Sequence, residues 1–225
     1  STESIQVQRG IGTSTNGAGS FGASLNIQSN TLAEKPYAEL NNSFGSYKSW
    51  KNTVKLGTGL INDKFAFNAR LSRISSDGYI ERGASDLQSS YIDGGYYGKK
   101  HTFKGIVFWG KEKTYQAWNG VPEPLITGDR SRMDDYAANG LGVSDAEKDR
   151  FMNAGRNYNL YTYKNQTDNY TQKHHQIHYT NILSDKPTLN TALHYTRGYG
   201  YYEEFRSADS LKHYGLKDVV IGNEK

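Results

Sequence analysis

Cysteine is absent from the 225 residues. That excludes disulfides, thiol nucleophiles and cysteine-based zinc sites. Long apolar runs are also absent: nothing approaches the roughly 20 apolar residues that a spanning helix needs, which excludes helical membrane proteins and nothing else. Charge of one sign is scarce too. Twenty-seven Lys and Arg face 23 Asp and Glu, for a net charge of +4, and the basic residues are scattered, leaving no nucleic-acid footprint. No nucleophile elbow, paired-carboxylate spacing or EF-hand loop occurs, so the chain does not read as an enzyme and no metal site or cofactor is expected. Proline occurs only four times, and none of the four falls inside a segment read below as a strand.

What the sequence has in excess is Tyr, 18 against 8 Phe and 3 Trp, together with 24 Gly. Tyr can place its ring at a bilayer interface with its hydroxyl in water, and Gly relieves crowding in a curved sheet. A mean hydropathy of −0.80 looks soluble. Yet a transmembrane β-barrel needs only alternate residues to be apolar over segments of about 10, so its mean hydropathy stays low. On composition alone a soluble β-rich module, such as a carbohydrate-binding sandwich, fits nearly as well.

The periodicity is that of strands. Residues 4–9 alternate Ile5, Val7 and Arg9 with Ser4, Gln6 and Gln8. The following Gly17-Ala18-Gly19-Ser20-Phe21-Gly22 spells the dinucleotide fingerprint, with Glu39 at a plausible ribose-binding distance. Its context rejects a nucleotide: polar Ser14-Thr15-Asn16 leads in and an alternating strand-like segment, 23–29, leads out, where a helix is required. The glycines are therefore read as a turn between two strands.

After a connector at 31–36, strands are predicted over 37–47, 50–61, 65–75, 89–98, 102–115, 171–183 and 188–202. The clearest is 65–75, where Phe65, Phe67, Ala69 and Leu71 oppose Asn68, Arg70 and Ser72. The exception is Ile106-Val107-Phe108-Trp109, apolar on both faces, which implies packing against something enclosed by a barrel, or a sandwich core. Alternate connections are short (Asn62-Asp63; 98–100; 184–187), while the other set takes 47–51, then 77–88, a long loop at about 119–169 and the unfinished end after Glu204. Short turns on one side and longer loops on the other is the pattern of outer-membrane barrels. Within the long loop, Ser144-Asp145-Ala146-Glu147 is a capping box opening a helix to about Asn153, and 131–138 is a second helix candidate.

Candidate ligand contacts fall in two groups. His174 and His178 share a strand face while His175 points away, so the pair could meet a metal, haem or ferric ligand. The plainer reading is solvated polar residues with no ligand. Near the ends of strands, Tyr79, Arg82, Tyr115, Trp118 and Tyr199 could hold an organic ligand by stacking and cation–π contact. The plainer reading there is an interfacial aromatic girdle.

The first thirty residues carry a resemblance. Glu3, Ile5, Val7, Arg9 and Gly10, then Gly12, Gly17, Gly19 and Gly22, then Leu25-Asn26-Ile27, resemble the end of the plug domain in TonB-dependent outer-membrane receptors. The stretches Ser76-Asp77-Gly78-Tyr79-Ile80 and 111–118 look like Bacteroidetes-type members. One departure is Ala23-Ser24, where the family commonly has a second glycine. The resemblance implies an all-β fold: the C-terminal end of a plug with its connector at 1–34, and the first seven or so strands of a barrel of about 22 at 35–225. Arg9, Gly10, Gly17, Gly19, Gly22 and Asn26 would be structural residues of the plug. It further implies an incomplete receptor of the bacterial outer membrane that imports a scarce nutrient through energy-coupled plug movement. The ligand would be small and organic or ferric, a ferric siderophore or haem first, cobalamin or a glycan next. Its partners would be a TonB-type energising protein, contacting a segment outside this chain, and outer-membrane lipid. The different-class alternative is the soluble carbohydrate-binding module.

Overall fold

The computed structural model describes residues 2–10, 22–29, 32–140, 144–183, 187–206, 209–217 and 219. Gly12, Gly17, Gly19 and the 184–186 turn lie outside the described residues. Two sheets form. The first is an antiparallel pair, β1 (Thr2–Arg9) with β2 (Ala23–Ser29), in which Ile5 faces Ile27 and Val7 faces Leu25. Gly10 leaves β1 at φ 75° and its N–H bonds to the carbonyl of Gly22 at 2.9 Å, which closes the pair where the sequence expected a glycine turn.

The second sheet is a seven-stranded antiparallel meander in strict chain order. Its strands are β3 (Tyr37–Gly45), β4 (Ser49–Gly57), β5 (Phe65–Ser76), β6 (Ser85–Tyr97), β7 (His101–Tyr115), β8 (Thr167–Ile182) and β9 (Thr188–Tyr202). All seven expected strands are present, although β6 and β8 each start four residues earlier than the periodicity indicates. One row of register partners crosses every strand: Phe44, Trp50, Ser75, Asp86, Lys113, Asn169, Tyr201.

The sheet has two unlike faces. Leu40, Val54, Leu71, Ile92, Val107, Ile177 and Leu193 share the apolar face and are exposed. The opposite face is polar and more enclosed. There Tyr37 donates to Asn68 (3.2 Å), Asn68 donates to the buried Asp93 (2.9 Å), Thr53 bonds Ser72 (2.9 Å), and Lys55 pairs with Glu39 (2.8 Å). Polar groups inside and hydrocarbon outside is the reverse of a soluble sheet packed on a core. An aromatic row, Phe65, Tyr96, Phe103 and Tyr179, crosses the apolar face near the short turns, with ring centroids at 5.4 Å (Phe65–Tyr96) and 4.5 Å (Phe103–Tyr179). Ile106 and Phe108 turn to the polar face, where Ile106 is buried and Phe108 stacks between Tyr91 and His174.

The turns sort by side. Asn62 and Asp63 both take positive φ and form the expected tight turn, with the N–H of Lys64 bonded to the carbonyl of Ile61. Gly59 is forced to be glycine: at φ 65° a Cβ would sit 2.6 Å from the backbone of Lys35, where the connector hands the N–H of Leu60 to the carbonyl of Glu34. On the other side lie the three-residue turn 46–48, the 77–84 loop and the long loop between β7 and β8.

That long loop is a folded cap. It contains α1 (Glu123–Thr127), α2 (Arg130–Asp135), a π-helical turn (Tyr136–Gly140) and α3 (Asp145–Met152). The expected helix start forms with half of the capping box: Ser144 Oγ accepts from the Glu147 N–H, while the Glu147 carboxylate turns to Arg150 and Tyr158. The second candidate, 131–138, is corrected: the α-helix ends at Asp135 and the chain widens into the π turn. α1 was not foreseen, because Pro122 and Pro124 mark a loop by composition; here Pro124 occupies the helix's first turn, where a missing N–H costs nothing. Leu125, Met133, Ala137, Phe151 and Tyr158 form the cap's own core.

Candidate functional site

The long-loop end of the meander is where side chains capable of recognition gather, and the cap positions them. Arg150 on α3 is the tie. Its guanidinium bonds Glu147, reaches Glu81 of the 77–84 loop at 3.0 Å, donates to the Asn159 carbonyl at 2.6 Å, and lies 4.5 Å over the Tyr158 ring. Burial opposes the Arg150 charge, but the bond to Glu147 and the field of Glu81 hold its pKa above the ordinary value. Tyr158, fully buried, donates to Glu147 (3.0 Å); burial first, and that carboxylate second, push its phenol up. The buried Asn159 amide donates to the carbonyls of Glu81 (2.8 Å) and Gln116 (3.0 Å), and Gln116 in turn donates to the carbonyl of Glu203 beyond β9 (2.9 Å). Three connections are thereby fastened at one end of the sheet.

The candidates from the sequence divide among several places. Trp118 stands edge-on to Tyr161 (6.3 Å) and Tyr202 (5.8 Å), with Tyr163 stacked on Phe205 at 4.9 Å, and Tyr115 donates its hydroxyl to the Tyr163 carbonyl. This exposed aromatic rim is a surface on which a planar organic group can stack. Tyr79 is elsewhere, edge-on to Tyr47 at 5.6 Å, and Arg82 adopts φ 59° beside Glu81 at 3.9 Å, without an aromatic partner among the described contacts.

His174 and His178 do share the polar face, and His175 takes the other, as the strand period required. His174 stacks on Phe108 at 4.2 Å and bonds Thr196; His178 meets Gln176 at 3.2 Å. His194, opposite Gln176, lies on the same face. Among the described residues no group of three or more His, Cys, Asp or Glu could hold a metal ion. Tyr199 does not join these residues: it lies on the apolar face, in the same row as Thr171 and Lys111. Arg9, Gly10, Gly22 and Asn26 all lie in the β1–β2 pair, apart from the ligand candidates. Sequence reasoning missed Glu81, Gln116, Arg150 and Asn159, whose partners are distant in the chain and leave no periodic signal.

Comparison with solved structures gives the architecture a setting. The chain superposes with a TM-score of 0.69 on the ferric-catecholate import receptor Fiu from E. coli K12, open form, over 89% of its own length and 29% of the receptor's, at 15% identity. The fold is that of part of an outer-membrane receptor barrel. The ferripyoverdine receptor of the outer membrane of Pseudomonas aeruginosa, bound to ferripyoverdine, matches with a TM-score of 0.55 over 91% of this chain and 34% of that one, at 10% identity. The chain therefore spans about a third of the length of these receptors. No protein-family model matches the sequence, and no curated protein does. The seven-stranded meander is accordingly a partial antiparallel barrel wall, with its two edges at β3 and β9.

Proposed function

We propose that the chain is part of a TonB-dependent receptor of the bacterial outer membrane, with the end of the plug at 1–34 and the first barrel strands at 35–225. The observation that carries the reading is the two-faced meander, apolar outside and polar inside, with its folded cap on one side and short turns on the other, in a fold shared with receptors for ferric ligands. The apolar face meets outer-membrane lipid, and the polar face, with His174 and His178, lines the lumen. The cargo is a scarce nutrient, a ferric siderophore or haem before cobalamin or a glycan, admitted by energy-coupled movement of the plug. A TonB-type protein acts on a segment outside this chain. The aromatic rim around Trp118 makes the first contact with the ligand, and Tyr199 belongs to the membrane-facing surface.

The test is fractionation and uptake with the full-length protein. It should require detergent for extraction, run as a heat-modifiable band, and support uptake of a labelled ferric complex under iron limitation. Recovery in the soluble fraction without detergent sinks the membrane reading and returns the soluble binding module. Unchanged uptake and affinity in both His174→Ala and His178→Ala removes the histidines from the ligand site, and unchanged affinity in Trp118→Ala removes the rim.

A further inference from the structure

The apolar face of β3–β9 carries an uneven set of charges. By register, five cations (Arg73, Lys111, Lys113, Lys173, Arg197) and one acid (Asp86) share the face of Leu71, whereas the polar face carries four of each sign. Arg73 occupies Asp86 in a two-pronged pair at 3.1 and 2.8 Å. Lys111, Lys113, Lys173 and Arg197 are exposed and form no ion pair among the described residues. They are also clustered. Trp109, Lys173 and Arg197 follow one another across β7–β9 in a single row, and Lys111, Thr171 and Tyr199 form the next. Between them lies a depression of about 600 Å³ lined by Val107, Trp109, Lys111, Lys173, Tyr199 and Tyr201.

The height of the cluster is informative. Trp109 to Lys113 stand six to ten residues above Phe103 in β7, and Lys173 stands six above Tyr179 in β8. At about 3.4 Å per residue and a tilt near 40°, that is roughly 16–26 Å above the Phe65–Tyr179 aromatic row. An outer-membrane barrel's apolar band is about 25 Å tall, so Lys113 stands at its upper edge, while Lys111 and the Lys173–Arg197 row stand roughly 4–9 Å below it, where long basic side chains extend their charged ends up to the headgroups.

We propose that Lys111, Lys173 and Arg197, with Trp109 and Tyr199, form a binding site for the phosphate-bearing headgroup of a lipid in the facing leaflet, whose acyl chains lie along Val107, Tyr195 and Leu193. The charge selects an anion, and continuity with the apolar band selects an anion that carries hydrocarbon. This inference rests on the membrane-spanning reading above.

The test uses the full-length protein extracted from outer membranes in mild detergent, with phosphorylated lipid retained per protein measured by native mass spectrometry. In the combined variant Lys111→Gln, Lys173→Gln, Arg197→Gln, affinity for the headgroup should fall by roughly 100-fold, about fivefold per cation. The polar-face control Lys51→Gln, Lys104→Gln should retain lipid as the parent does. In nanodiscs, phosphate-bearing lipid should raise the melting temperature of the parent over zwitterionic lipid, the gap should close in the triple variant, and inorganic phosphate alone should not reproduce it. Equal lipid retention in the triple variant overturns the inference while the need for detergent and heat-modifiable migration leave the barrel reading standing. Stabilisation by inorganic phosphate, or loss of a co-purifying acidic protein with lipid unchanged, overturns it as well. Soluble recovery of the parent overturns both.

Discussion

Phe151→Ala is the sharpest probe of the cap. Phe151 is fully buried, its ring centroid 5.2 Å from that of Tyr136 and 5.4 Å edge-on to Tyr158, within a core that also holds Leu125 and Met133. Truncating such a ring costs about 3–5 kcal/mol, transfer and cavity combined. The cap hangs between β7 and β8 with a core separate from the sheet, so the loss should fall on its local opening rather than on the barrel wall. Amides in 123–160 should then exchange faster by roughly two to three and a half orders of magnitude, at 1.4 kcal/mol per factor of ten. Hydrogen exchange with mass spectrometry on the full-length protein in nanodiscs reads this directly, with peptides from β7 and β8 as the internal reference. Phe151→Leu, which keeps most of the volume, should cost less than about 1.5 kcal/mol. Two results would refute the reasoning: unchanged exchange in the cap, or equal acceleration in β7 and β8, which would make cap and wall a single cooperative unit.

Three further outcomes are expected. Because the Tyr158 phenol holds its proton more tightly in the folded cap than in the unfolded chain, the associated stability is intact below the ordinary Tyr pKa of about 10 and is lost as pH rises beyond it; cap exchange should accelerate above that pH, and Tyr158→Phe should abolish the dependence. Leu71→Arg, on the apolar face, should cost about 2–4 kcal/mol and deplete the heat-modifiable folded band, while Ser72→Arg on the polar face should not; equal loss from both would invalidate the assignment of faces. Tyr47 and Lys48 both hold positive φ (58° and 51°) in the turn between β3 and β4, so Lys48→Gly should stabilise by about 1 kcal/mol in denaturant melts despite losing the exposed pair with Asp77, and a destabilisation would show that the ion pair matters more than the backbone.

The wall was readable from sequence because one face of each strand must present hydrocarbon. Phe65, Phe67, Ala69 and Leu71 leave no choice of period, and Asn62-Asp63 is a pair that takes left-handed φ more readily than most residues. The Ser144–Glu147 cap was readable for the same local reason: donor and acceptor are three residues apart. Tyr199 shows a signal that was present and unused, since counting by twos from Leu193 and Tyr195 puts it on the apolar face. The fastening of the cap was not readable at all. Asn159 meets Glu81 across 78 residues and Gln116 meets Glu203 across 87, and a lone buried amide has no periodicity to betray it.

The straight row from Phe44 to Tyr201 bears on the shape of the barrel mouth. Strand lengths grow from 9 residues in β3 to 16 in β8, and because that row lies near the upper end of every strand, the growth is all at the short-turn end. Such a staircase is what shear demands when a tilted sheet closes on itself. With the short turns level, six steps of about 4.8 Å at a tilt near 40° lift the row by roughly 18 Å from β3 to β9. Along these seven strands the upper rim is then a ramp, low beside Phe44 and Trp50 and high where the cap is mounted, so strand length, as well as the cap's own fold, sets how far the cap stands above the short turns.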